Sequence, residues 1–289
     1  MGCVYSAGPV YEKKTENAKF FSVHPDRVLQ DAPVAFPSYW QNIGGDMEFA
    51  HLISCEGETG TSEWEAVQAL LDATFDKKQT ASRLLVQSLR RVEDAAMWGL
   101  YEQSVAWIIQ CRANEEIPIH KMLGKDGEVQ DVPLTTAALP DSWKARIRLG
   151  ANEAYLWHGT SLAAAESIAK NDFRISSAGS AHGKKLGKGA YLAGSAALGD
   201  KYSVCDKTGV YAMLLVRAAL GLVLVTTKRS AAWSNKAKDS LDTSKVVKTG
   251  QWDSVLGDRR KAVGTHREYC VAFSHQLYPE YLITYKREP

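Results

Sequence analysis

His158 stands at the end of an apolar run, Tyr155-Leu156-Trp157, and is followed by Gly159 and Thr160. Further along, Gly187-Lys188-Gly189-Ala190 leads into Tyr191, and Tyr202 comes after it. Near the C-terminus Glu268 sits at the mouth of a second apolar run, Tyr269-Cys270-Val271-Ala272-Phe273. A titratable ring, a residue without a side chain, two flat phenols and a carboxylate suit the gripping of a flat polar ring and a sugar. Glycine lets main chain approach a ligand closely, and phenols stack on π-faces. Singly the pieces are weak. A strand-end histidine is ordinary, Tyr202 reads equally as core, and Glu268 equally as a solvated edge charge.

Taken in order, the pieces resemble the catalytic domain of the poly(ADP-ribose) polymerase family, the diphtheria-toxin-like ADP-ribosyltransferases. His158, Tyr191 and Glu268 match the family's His-Tyr-Glu signature, and the Tyr191-to-Tyr202 spacing matches as well. The ending Tyr278-Pro279-Glu280-Tyr281-Leu282-Ile283-Thr284-Tyr285 looks closest to tankyrase-type members. The likeness spans residues 38–287. It implies an ADP-ribosyltransferase fold, with two packed, mainly antiparallel sheets flanked by helices. It also implies an NAD-dependent protein ADP-ribosyltransferase, building polymer or adding single units, with NAD+ as co-substrate, protein acceptors as partners and no metal.

The resemblance assigns roles as well. Gly159 offers its backbone to the nicotinamide carboxamide, Tyr191 and Tyr202 sandwich the ring, and Thr160 belongs to the same NAD+-binding stretch. His158 holds a ribose hydroxyl of the adenosine half, and Arg174 reaches the adenosine end. Glu268 bonds the 2′-hydroxyl of the nicotinamide ribose, so His158, Tyr191 and Glu268 are the catalytic set. Three positions depart from the pattern. Gly199 stands where many members carry serine, and Lys184 and Lys185 replace a common tyrosine and methionine on the acceptor side. Glu268 favours polymer and the lysines favour single units, so both products stay open. A silent module that binds NAD+ or ADP-ribose is the alternative, and the complete signature argues against it.

Composition narrows the classes. Hydrophobic residues make up 45% and charged residues 24%, ordinary globular values. The net charge of +2 supplies no sequence-wide field, so direct DNA binding is not expected. Five scattered cysteines without a C-x-x-C pair argue against zinc and a disulfide framework, and for an intracellular setting, cytoplasmic or nuclear. Met1-Gly2-Cys3-Val4-Tyr5-Ser6 fits the N-myristoylation pattern, with Cys3 placed for palmitoylation, which would tether the chain to a membrane. The alternative is an unmodified tail.

The site needs elements to hold it. Residues 1–37, with Pro9, Pro25, Pro33 and Pro37, read as a flexible tail, and 38–289 as the catalytic domain. A helix is signalled by the Ser62/Glu65 capping box and by Trp64, Val67, Leu70, Leu71 and Phe75 on one face. Leu84, Val86 and Leu89 alternate as a strand. From Asp94, the residues Met97, Trp98, Tyr101, Val105 and Ile108 recur at helical spacing as core. Residues 112–148, with a turn at Lys125-Asp126-Gly127, read as a surface insertion that leaves Trp143 without a place. A helix opens at Ser161 and ends near Asn171, where Asn tolerates left-handed backbone. A glycine- and serine-rich loop follows over 176–185, and Ser195 caps a helix towards Tyr202. Residues 210–216 and 220–226 are β-rich, and 228–250 reads as an exposed lysine-rich loop interrupted by Asp239 and Asp242. The last strands fall at 268–273 and 281–286. Helices and strands are segregated, which predicts an α+β fold.

Overall fold

The computed structural model describes residues 35–41, 51–55, 61–75, 81–113, 122–123, 129–130, 132–175, 186–226, 241–258 and 266–289. The acylation pattern at Gly2 and Cys3, the turn at 125–127, the loop 176–185 with Lys184 and Lys185, and most of the lysine-rich stretch lie outside them. In chain order the elements are β1 (His51–Ser54), α1 (Thr61–Thr74), β2 (Arg83–Glu93), α2 (Ala95–Arg112), β3 (Met122–Leu123) and β4 (Val129–Gln130). Next come α3 (Leu134–Ala137), α4 (Asp141–Lys144), β5 (Glu153–Thr160), α5 (Leu162–Asn171), β6 (Ala190–Ala193) and α6 (Ala196–Tyr202). The rest are β7 (Tyr211–Ala219), β8 (Val223–Thr226), α7 (Thr243–Lys248), β9 (Ser254–Asp258), β10 (Arg267–Val271) and β11 (Leu277–Glu288).

Nine strands form one hydrogen-bonded order, β1-β2-β11-β7-β5-β6-β10-β9-β8, while β3 and β4 pair apart. The pairs are antiparallel except β8 with β9. This is the expected α+β arrangement of mainly antiparallel sheet. The two expected sheets are two halves of this order, joined where β5 meets β6 at a single register position, Trp157 opposite Ala193. One such pair is a weak seam compared with the eight positions that join β5 to β7.

Side-chain alternation decides what covers each face, because successive strand residues point to opposite sides. Ala154 and Leu156 of β5, Leu214 and Val216 of β7 and Leu282 of β11 pack with Met97, Trp98, Tyr101 and Ile108 of α2 and Ala165 and Ala169 of α5. Their neighbours Tyr155, Trp157, Met213, Leu215, Tyr281 and Ile283 pack with Val67, Leu70 and Leu71 of α1 and Ala196, Ala197 and Leu198 of α6. The α2 start expected at Asp94 is a side-chain cap, its Oδ1 accepting from the Met97 N–H at 2.8 Å.

Several local expectations change, among them the exposed loop expected over 228–250, whose described part holds the helix α7 with Thr243 and Val247 buried. Ser62 lies inside the first turn of α1, since the helix already runs from Thr61. The left-handed backbone after α5 falls on Asp172, φ 67°, and Asn171 is the last helical residue. Residues 132–148 are not a solvated insertion. Leu139 and Trp143 are buried, and the Trp143 ring stacks on Tyr281 at 5.2 Å and 4°. Thr136 Oγ1 donates to the Tyr155 carbonyl and accepts from its N–H, so α3 is tied to β5. An aromatic pair of this kind adds about 1 kcal/mol beyond area burial, enough to hold a short segment on the sheet.

Candidate active site

Three adjacent strands and one helix carry the side chains of interest. His158, Gly159 and Thr160 end β5, Tyr191 lies in β6, Glu268 in β10, and Tyr202 ends α6. Glu268 lies opposite Ala193, and Ala193 opposite Trp157, so one row crosses β10, β6 and β5. At the usual strand spacing the ends of that row stand about 10 Å apart. The row brings Glu268 within two strands of the C-terminal end of β5, where His158 follows Trp157.

His158 takes over where backbone pairing between β5 and β6 stops. Its Nδ1 lies 2.9 Å from the Tyr191 carbonyl. A carbonyl oxygen only accepts, so Nδ1 carries the proton and the neutral ring keeps Nε2 as an acceptor. Burial holds the imidazole below its ordinary value, outweighing the upward pull of the Tyr191 carbonyl. The ring also meets the edge of Phe173 at 5.2 Å and 80°. Arg174, the next residue, has an exposed side chain.

Gly159 lets α6 lie against β5. A Cβ there would stand 1.8 Å from the Gly199 carbonyl oxygen. The contact is reciprocal, since a Cβ on Gly199 would meet Met213 Sδ at 2.8 Å and Trp157 Cβ at 3.0 Å. Ser195 stands at the helix start without a side-chain capping bond, and the Ala196 N–H instead donates to Thr74 Oγ1 at 3.1 Å. So seated, α6 delivers Tyr202, whose Oη donates to Glu268 Oε1 at 2.7 Å. Glu268 is buried while the Tyr202 ring is half-buried. The carboxylate is thus oriented by a phenol whose ring a ligand can still reach.

Tyr191 is half-buried, and its phenol makes two main-chain bonds. Leu186 N–H donates to Oη at 2.9 Å, and Oη donates to the Gly187 carbonyl at 2.8 Å. Burial, chiefly, pushes this phenol well above its usual value and keeps it protonated. Cys270 lies across the strand from Tyr191, fully buried, its thiol pushed up to about 12 chiefly by burial. A thiol so raised is a packing group, not a nucleophile.

Residues 61–287 match the poly(ADP-ribose) polymerase catalytic domain. The chain belongs to this family. Among curated relatives, human "Protein mono-ADP-ribosyltransferase PARP12" is 24% identical over 261 residues, which is 88% of this chain and 28% of the relative. Mouse PARP12 is 22% identical over 255 residues with the same two shares. Mouse "Protein mono-ADP-ribosyltransferase PARP11" is 22% identical over 181 residues, 62% of this chain and 41% of the relative. The chain therefore spans well under half the length of these relatives.

In this member of the family, the missing serine at position 199 has a physical reason. A side chain there would meet Met213 Sδ at 2.8 Å and Trp157 Cβ at 3.0 Å, so it fits only if Met213 shifts. Sequence reasoning missed the anchorage of the Leu186–Gly187 turn. Thr243, at the start of α7, donates to the Leu186 carbonyl from N and Oγ1, at 2.8 and 2.6 Å. The signal was the run Asp242-Thr243-Ser244, a helix-capping pattern read only as an interruption of a lysine-rich stretch. Among the described residues no group of His, Cys, Asp and Glu could hold a metal ion, and no helix is long and apolar enough to cross a membrane.

Proposed function

We propose that the chain is an NAD+-dependent protein ADP-ribosyltransferase, and that the observation carrying this is the oriented carboxylate: Glu268, held by Tyr202, on a strand two places from β5 in the sheet order. Cleaving nicotinamide from its ribose passes through an oxocarbenium-like transition state, as in glycoside cleavage. A carboxylate fixed beside the sugar helps most when positive charge develops, which raises rate more than binding. Tyr202 keeps that carboxylate aimed, so little reorganisation is needed during the reaction.

The other residues position substrate. His158, neutral and donating from Nδ1 to the Tyr191 carbonyl, offers Nε2 to a ribose hydroxyl of the adenosine half. The half-buried faces of Tyr191 and Tyr202 grip the nicotinamide ring, Gly159 and Thr160 supply backbone at its edge, and exposed Arg174 reaches the adenosine end. The mono-ADP-ribosyltransferase relatives favour a single ADP-ribose on a protein acceptor as the product. Incubating the purified chain with labelled NAD+ and sizing the product tests this. A discrete labelled band supports single-unit transfer, a ladder assigns polymer instead, and an unlabelled chain with unlabelled acceptors overturns the proposal.

A further inference from the structure

The phenol of Tyr191 does not end in solvent. Both of its hydrogen bonds land on one turn, Leu186–Lys188, and that turn is itself held from the other side by the residues that open α7. The Leu186 amide donates to Tyr191 Oη at 2.9 Å, while the Leu186 carbonyl accepts from Thr243 N at 2.8 Å and Thr243 Oγ1 at 2.6 Å. The Gly187 carbonyl accepts from Tyr191 Oη at 2.8 Å, and the Lys188 N–H donates to Asp242 Oδ1 at 3.2 Å. The same Oδ1 accepts from Ser244 N and Ser244 Oγ, at 3.1 and 2.8 Å.

The fit between turn and helix start is close. Gly187 adopts φ 83°, and a Cβ on it would stand 2.4 Å from Asp242 Cα and 2.5 Å from its Oδ1. Only glycine meets both demands there. Thr243 is fully buried, so its hydroxyl has exchanged water for the Leu186 carbonyl. A small apolar cluster, Leu186, Val255 and Cys270 with Tyr191, Leu241 and Val246, fills the space between turn, strand and helix.

We propose that Asp242 and Thr243 are positioning residues for Tyr191: through the Leu186–Lys188 turn they fix the phenol end of its ring and so set the plane offered to the nicotinamide ring. This rests on the proposed function for the identity of the ligand, though not for the geometry. Tyrosine here acts as a strut as much as a stacking face. Its hydroxyl transmits the position of α7 to the ring, and phenylalanine would stack while losing that registration. Asp242 and Thr243 touch no reacting atom, so their effect runs entirely through Tyr191.

A double-mutant cycle read on benzamide, a nicotinamide-like probe, tests the role. Tyr191→Phe, which removes both bonds to the turn, and Asp242→Ala, which removes the carboxylate that holds the turn, should each weaken benzamide binding by about fivefold. Together they should weaken it by about the same fivefold, because both break one chain of contacts. Asp242→Asn, which keeps an acceptor oxygen, should return affinity to within about twofold of the parent. Thr243→Val preserves volume and removes only the hydroxyl bond; it should weaken binding about threefold and couple to Tyr191→Phe in the same way. That variant keeps the proposal testable should Asp242→Ala fail to fold. Losses that multiply in the double variants, to about 25-fold with Asp242→Ala or about 15-fold with Thr243→Val, or single variants with parental affinity, overturn this role alone. A parent chain that binds no benzamide overturns the functional reading and this role with it.

Discussion

Among the described residues phenol–carboxylate pairs recur, and two regions put them to different ends. Behind the site, Tyr155 Oη donates to Glu280 Oε2 at 2.5 Å and Tyr101 Oη to Glu153 Oε1 at 2.7 Å. All four side chains are buried, and Arg217 stands against Glu153 at 2.7 Å and Glu280 at 3.9 Å. Arg148 adds a second cation on Glu153 at 3.1 Å and also pairs with Glu102. At the front, Tyr202 donates to Glu268 at a similar 2.7 Å, but its ring is half-buried at the end of a helix. The chemistry of the pair is shared and the access is not. Sealed behind an arginine, it staples the wall formed by β5, β7 and β11; at the end of α6, it fixes the direction of a buried carboxylate beside a half-buried phenol ring.

The wall is where the largest change should appear. Burial alone would raise the Glu153 carboxyl, but Arg217 and Arg148 drive it down to about 2. Arg217→Ala strands a charge in the sheet and should lower unfolding free energy by about 3–5 kcal/mol, measured by denaturant titration. A smaller loss would mean that the wall does not depend on its cation. The two tyrosines then sharpen the contrast. Tyr155→Phe should destabilise by about 1–3 kcal/mol and leave transfer kinetics of the folded fraction unchanged, whereas Tyr202→Phe should slow transfer about tenfold with little change in stability. Equal effects on stability would erase the distinction between the regions. Tyr191→Ala should weaken binding of an NAD+ analogue by about 1 kcal/mol beyond area loss, read by calorimetry.

Acid separates the regions last. The His158 value is lowered in the folded state, so its contribution to stability is present above the ordinary histidine value, about 6.5, and is lost as pH falls below it. Ligand affinity should fall over that range because Nε2 ceases to accept. Glu153, also lowered, contributes above the ordinary glutamate value near 4.3 and loses that contribution only as pH falls towards 2. Affinity should therefore fade before the wall does, and an affinity that holds until the fold itself melts would count against a neutral His158.

The front of the molecule was legible in the sequence because its residues are rare in type and fixed in spacing. His158 closes an apolar strand and Glu268 opens one, whereas the close approach of α6 to Gly159 shows only in the fold. The helices α1 and α2 were legible from apolar periodicity, and Asp94 from its cap. The wall was not. Nothing in the sequence singles out Glu153 or Arg217, and Glu280 stands there only within the C-terminal motif, until β5, β7 and β11 come side by side. Trp143 found no place because Tyr281, its stacking partner, is distant in sequence and adjacent only across the folded sheet. Asp242 escaped notice for a similar reason, since the turn it holds lies far from it in the chain.

The central claim is that Glu268 acts on the reaction and not on the fold, and Glu268→Gln measured for labelled transfer, thermal midpoint and NAD+-analogue affinity on one preparation tests it most directly. The account predicts transfer reduced about 100-fold or more with midpoint and affinity close to those of the parent. Transfer at the parental rate, or a loss of transfer that only follows a loss of folded protein, would contradict it.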